Sequence, residues 1–123
     1  MLIVKYLLII NKASYNSQRI ISSLLFAEAL LKKDHIIDKV FFYADATTIA
    51  NKNIYYSSDE TNFLEKWVKL SKNYKFELHL CHTAASKRGI VESNTDYLDT
   101  NFILSGLSVM SESLLMVDRV VQF

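Results

Sequence analysis

The chain contains no proline, two glycines and one cysteine among its 123 residues. A single cysteine excludes an intrachain disulfide and fits a reducing compartment. With Gly89 and Gly106 as the only glycines there is no GxGxxG and no P-loop, so a nucleotide-phosphate cradle of the usual kind is excluded. Charge of one sign is also missing. The 14 basic residues nearly balance 13 acidic ones, for a net charge of +1. That balance gives no electrostatic reason to bind nucleic acid or an anionic membrane directly. Long apolar runs are absent as well. Met1 to Ile10 is interrupted by Lys5, falls far short of the roughly 20 residues of a spanning helix, and lacks the pattern of a signal peptide. It reads as a buried first strand, and the protein as cytoplasmic. Without linkers or internal repeats, residues 1–123 read as one domain.

Half the residues are hydrophobic and 22% are charged, the composition of a folded globular chain. Leu2 to Ile10 has the continuous Leu/Ile/Val character of a central parallel strand covered on both faces. A polar loop follows, Asn11 to Asn16, with Ser14, Asn16 or Ser17 as candidate caps. From Gln18 to Lys33, Ile20, Leu24, Ala27 and Leu31 recur at helical spacing, with Ile21, Leu25 and Leu30 widening the stripe. Lys39 to Tyr43 is a second strand. The polar segment Asp45 to Ser58 includes a short helical turn at Ala46 to Ala50, and Phe63, Trp67 and Leu70 stripe a helix from about Glu60 to Asn73. Beyond Phe76 to Val91, Glu92 to Asn101 is polar turn or short helix. Phe102 to Met116 reads as one long apolar helix through Leu104, Leu107, Met110 and Leu114, and Asp118 to Phe123 as a last strand. Alternating strands and helices define an α/β fold, a single mostly parallel sheet flanked by helices on both faces.

The chemistry-bearing stretch is Phe76 to Val91, which holds the only cysteine and two of the three histidines. Phe76, Leu78 and Leu80 alternate with Glu77, His79 and Cys81, as on a strand. Thr83 to Lys87 then has helix formers with Thr83 as a candidate cap, and Gly89 to Val91 reads as a short extended piece. Cys81 therefore falls where a strand passes into a helical turn, at the crevice where open α/β sheets gather their chemistry. Unpaired N–H groups at a helix start, with Lys87 and Arg88, would favour the thiolate over a thiol whose ordinary pKa is about 8.5. Only the thiolate attacks another sulfur. The alternative is that Cys81 is a small buried filler.

A metal on His79, Cys81 and His82 is disfavoured, because adjacent and alternating strand positions rarely converge on one ion and no second cluster completes four ligands. A nucleophilic hydrolase would need a base beside Cys81. His79 shares its strand face and reads more readily as a packed strand histidine. His82, at the turn, and His79, on the same strand face as Cys81, are candidates for tuning the thiol or docking a carrier. Lys87 and Arg88 serve either as tuning or docking charges or as a solvated helix end.

Val40-Phe-Phe-Tyr43, Leu80-Cys-His-Thr-Ala-Ala85, Lys87-Arg-Gly-Ile-Val91, Phe102-Ile-Leu-Ser-Gly-Leu107 and Asp118-Arg-Val-Val-Gln-Phe123 together resemble the DsrE-like sulfur-relay proteins, in order over nearly the whole chain. Two departures stand out: Asn11 to Tyr15 lacks the family's usual Gly and Pro, and His82 replaces a small or apolar residue. The resemblance implies a three-layer, flavodoxin-like fold and a sulfurtransferase subunit whose Cys81 carries sulfane sulfur as a persulfide, without cofactor or metal. It further implies TusB-like and TusC-like partner subunits in a dimer of heterotrimers, a TusA-like donor and a TusE-like acceptor. The sulfur would end in the 2-thiouridine of the tRNA wobble position, with no direct tRNA contact by this subunit. An assembly subunit with an inert cysteine is the alternative.

Overall fold

In the computed structural model, which describes residues 2–15, 17–90, 93 and 95–123, five parallel strands form one sheet in the order β4-β3-β2-β1-β5. The strands are β1 (Lys5–Ile10), β2 (Ile36–Phe42), β3 (Glu77–Cys81), β4 (Phe102–Ser105) and β5 (Arg119–Gln122). The helices are α1 (Arg19–Lys32), α2 (Phe63–Tyr74), α3 (His82–Ser86) and α4 (Leu107–Met116), and a 3-10 segment covers Ala44–Ala50.

One face of the sheet carries the main core. Leu8, Ile10, Val40, Phe42, Leu78 and Leu80 pack there with Ile20, Leu24, Ala27 and Leu31 of α1 and with Phe63 and Trp67 of α2. Trp67 meets Phe42 edge-on at 5.8 Å. The predicted α1 stripe is narrower than expected: Ile21 and Leu25 are exposed, while Leu30 is buried. The start of α1 has no side-chain cap on Gln18, but the Ser17 hydroxyl accepts the Arg19 N–H at 3.1 Å. The alternative cap Asn16 lies outside the described residues. On α2 the cap is Asn62, whose side chain accepts the Glu65 N–H at 3.1 Å.

The opposite face holds Leu7, Phe41, Cys81 and Ala84, with Ile9, Met110 and Val117 packed against them. A register shift between Tyr6 and Leu7 makes β2 bulge at Asp38, since Tyr6 pairs with Ile37 and Leu7 with Lys39. The bulge puts Asp38 within 3.7 Å of Lys5 and 3.4 Å of Lys39, where its carboxylate also accepts the buried Ser113 hydroxyl of α4.

The expected helix over Phe102 to Met116 is instead β4 followed by α4, broken at Gly106. Phe102-Ile-Leu-Ser pairs with Leu78 to Cys81 because an aromatic, β-branched run satisfies an open edge of β3, and Gly106 lets the chain turn into a helix. Nor does α4 bury an apolar stripe. Among its described residues only Ser113 is buried, and Leu114, Leu115 and Met116 are exposed. The predicted extended piece at Gly89 to Val91 is a turn through Gly89 at φ +79°, with Val91 outside the described residues. Of the segment Glu92 to Asn101, residues 92 and 94 lie outside them too.

Candidate active site

Cys81 is the last residue of β3 and the residue on which α3 begins. The expected cap Thr83 lies inside α3, and the cap position belongs to Cys81, whose side chain makes no capping bond. With alternate side chains on alternate faces, Leu78 and Leu80 join the main core while His79 and Cys81 point to the other side. Cys81 is 1% exposed, beneath a cleft of about 220 Å³ that it lines with Tyr43, Ala44, Thr83, Ala84, Lys87, Arg88 and Leu107. A neighbouring cleft of about 230 Å³ shares Tyr43 and Leu107 and runs on to Asn11, Met110 and Gln122. Both clefts involve residues from the carboxyl ends of the strands. A larger cavity of about 640 Å³ lies between α2 and residues 51–56 and contains no thiol.

The basic pair divides. Both line the cleft, but Arg88 is engaged: its Nε and Nη2 donate to Asp45 at 2.9 and 2.8 Å, and its Nη1 donates to the Ala84 carbonyl at 2.9 Å. Arg88 thus ties α3 to the 3-10 segment and spends its charge on a carboxylate. Ala44, the first residue of the 3-10 segment, is held at φ +52°, a left-handed conformation that costs a residue with a Cβ about 1 kcal/mol. Asp45 carried no signal in the sequence, because an acidic residue in a polar loop has no periodicity to mark it.

His79 is buried, stacked on Phe41 at 6.4 Å, and hydrogen-bonded through both ring nitrogens. Nε2 lies 3.0 Å from Glu77 Oε1 and Nδ1 lies 2.9 Å from Ser105 Oγ. This agrees with a packed strand histidine. His82 opens α3, and its carbonyl accepts the Ser86 hydroxyl at 2.9 Å. Ser105 carries no signal in the sequence, because the apolar run from Phe102 to Met116 reads as one helix. Here it is the register partner of Cys81. Among the described residues no three His, Cys, Asp or Glu side chains are grouped to hold a metal ion, and no helix is long and apolar enough to cross a membrane.

A parallel five-stranded α/β sheet with one cysteine at a strand end is the setting of a known class, and the sequence profile of the DsrE/DsrF-like family matches residues 4–123. The chain belongs to the DsrE/DsrF-like family. Within it, the chain is similar to the sulfurtransferase TusD of Proteus mirabilis, at 36% identity over 96% of this chain and 97% of the other. The TusD homolog of Pasteurella multocida is 37% identical over 95% and 98%. TusD from a Buchnera aphidicola strain is 32% identical over 96% and 98%. The fold matches the crystal structure of the ychN protein of E. coli with a TM-score of 0.83 at 23% identity, covering 98% of this chain and 100% of that one.

Proposed function

We propose that this chain is a sulfurtransferase subunit that carries sulfane sulfur on Cys81 as a persulfide. The observation that carries the reading is the position of the thiol, at the end of β3 under a cleft lined by Lys87. The Cys81 thiolate attacks the outer sulfur of a donor persulfide. One S–S bond forms, one breaks, and the donor cysteine leaves as thiolate. An acceptor thiolate then takes the same sulfur from Cys81 and restores it. Each step exchanges one sulfur–sulfur bond for another, so no net oxidant is consumed and neither cofactor nor metal is required.

Resemblance to proteins named TusD supports a place in a relay with TusB-like and TusC-like subunits, assembled as a dimer of heterotrimers. A TusA-like donor would supply the sulfur and a TusE-like acceptor would remove it, for 2-thiouridine at the wobble position of tRNA. Such a relay runs in the cytoplasm, and the near-neutral charge of this subunit suits a member that never touches the tRNA. His82, Lys87 and Arg88 are proposed to serve the docking of carriers or the tuning of the thiol.

One observation favours a second reading, an assembly subunit whose cysteine is inert: Cys81 is nearly sealed from solvent. Intact mass after incubation with a small persulfide donor separates the two. Relay chemistry gives a gain of about one sulfur mass that is lost on reduction and absent in Cys81→Ser. No adduct, under conditions that load a known persulfide carrier, leaves the assembly role.

A further inference from the structure

Next to the strand end that carries the thiol, a polar chain runs along this face of the sheet. Glu77, His79 and Ser105 are linked by contacts of 3.0 and 2.9 Å, and Ser105 pairs in register with Cys81 across β3 and β4. Adjacent strands lie about 4.8 Å apart, so the side chains of register partners are neighbours on one face. The Ser105 hydroxyl points to that face, since it meets the buried ring of His79. A strand of Phe, Ile and Leu ending in this one hydroxyl, opposite the only cysteine, gives the polar chain a direction.

The hydroxyl has one proton, and His79 decides where it goes. With His79 neutral, Nε2–H donates to Glu77 and the bare Nδ1 takes the Ser105 proton, so the hydroxyl offers the sulfur only lone pairs. With His79 protonated, Nε2–H still donates to Glu77 and Nδ1–H now donates to Ser105 Oγ. The serine proton is then released toward Cys81, where a thiolate or a persulfide anion accepts it. A hydrogen bond to the charged form of a group favours that form.

We infer that Ser105 is the positioning donor for the sulfur anion at Cys81, and that His79 and Glu77 set the direction of its proton. This rests on the persulfide reading for its purpose, but not for its chemistry. Other charged or titratable groups at this face are Lys39 and Asp38 of β2, Lys5 of β1 and, toward the cleft, Tyr43, His82, Lys87 and the Arg88–Asp45 pair. From α4 come Met110 and Ser113. Lys39 is the register partner of Glu77, and its ammonium lies against Asp38 at 3.4 Å.

The test is the pH dependence of Cys81 alkylation by iodoacetamide in the full chain. Ser105→Ala shifts the rate profile upward by about one pH unit, a roughly tenfold loss of rate below its midpoint, and Ser105→Thr restores it. Glu77→Gln, at a side chain 61% exposed and therefore safe for folding, shifts it in the same direction by about half a unit, and adds nothing in a Ser105→Ala background. A profile unmoved by Ser105→Ala overturns the inference. Should that variant not fold, an unmoved Glu77→Gln profile overturns it equally. Persulfide loading of the wild type, read by mass, is independent. Loading with unmoved profiles sinks this inference alone, and shifted profiles without loading sink only the sulfur-carrier reading.

Discussion

The two faces of the sheet are built on different plans. Under α1 and α2 the interior is continuous hydrocarbon, with Phe42, Trp67, Leu24 and Leu80 in one cluster. Under α3 and α4 a small apolar patch, Leu7, Phe41, Cys81 and Ala84, is bordered by Lys5, Asp38, Lys39, Glu77 and His79. Apolar burial is the dominant favourable term in folding, at about 25 cal/mol per Å². The first face therefore carries most of the stability. The second is free to hold polar chemistry and a helix, α4, that presents Leu115 and Met116 to solvent. The main apolar core and the polar groups near Cys81 are separated by the thickness of one sheet.

The largest effect that can test this division is on stability. Trp67→Ala, at a fully buried side chain wedged against Phe42, is expected to cost about 3–5 kcal/mol in urea denaturation. Leu115→Ala, at a side chain 89% exposed, is expected to stay within about 0.5 kcal/mol. Comparable losses at the two positions would mean that α4 supports the fold as much as α2 does, and the asymmetry would be false.

The first face was legible from sequence. Ile20, Leu24, Ala27 and Leu31 are buried where their spacing predicts, and the alternation from Phe76 to Cys81 divides that strand's side chains between the faces. Periodicity reports burial, and this face is where burial is complete. The second face resisted because its signals are not periodic. Phe102 to Met116 is apolar throughout, so the strand and the helix within it cannot be told apart by hydrophobicity. Only Gly106 marks the break. The partners of the site residues lie far along the chain: Asp45 reaches Arg88 across 43 residues, and Ser105 reaches His79 across 26. The position of Cys81 followed from local pattern, and its burial did not. How deeply a strand end is covered depends on residues that arrive from other elements, here Leu7, Phe41 and Met110 of the same apolar cluster.

The next effect is on access to the site. Arg88 fastens α3 to the 3-10 segment through a forked contact with Asp45, in which both groups remain partly exposed. An ion pair with that exposure contributes roughly 0.2–1 kcal/mol. Its loss should fall on local opening of the cleft more than on global unfolding. Arg88→Ala is expected to speed iodoacetamide reaction at Cys81 by about fivefold, the factor that roughly 1 kcal/mol of easier opening supplies, with little change in urea midpoint. An equal reaction would show that the clamp does not govern access, and a slower one that Arg88 acts on the thiol through its charge instead.

The smallest effect belongs to the polar border of the second face. Burial alone would raise the pKa of Asp38. The hydroxyl of Ser113 and the charges of Lys39 and Lys5 outweigh it and hold the carboxyl below its usual range. A carboxylate with a depressed native pKa stabilises the fold fully above its unfolded value, about 3.9, and loses that contribution as pH falls through the lower native value. Asp38→Asn keeps an oxygen for Ser113 and removes only the charge. Its stability deficit should therefore be greatest at neutral pH, below about 1 kcal/mol, and should shrink as pH drops under about 4. Urea midpoints of wild type and variant at pH 7, 4 and 3 read this directly. A gap that widens in acid would mean the lysines do not hold Asp38 ionised, and that α4 is fastened to the sheet by the neutral hydrogen bond alone.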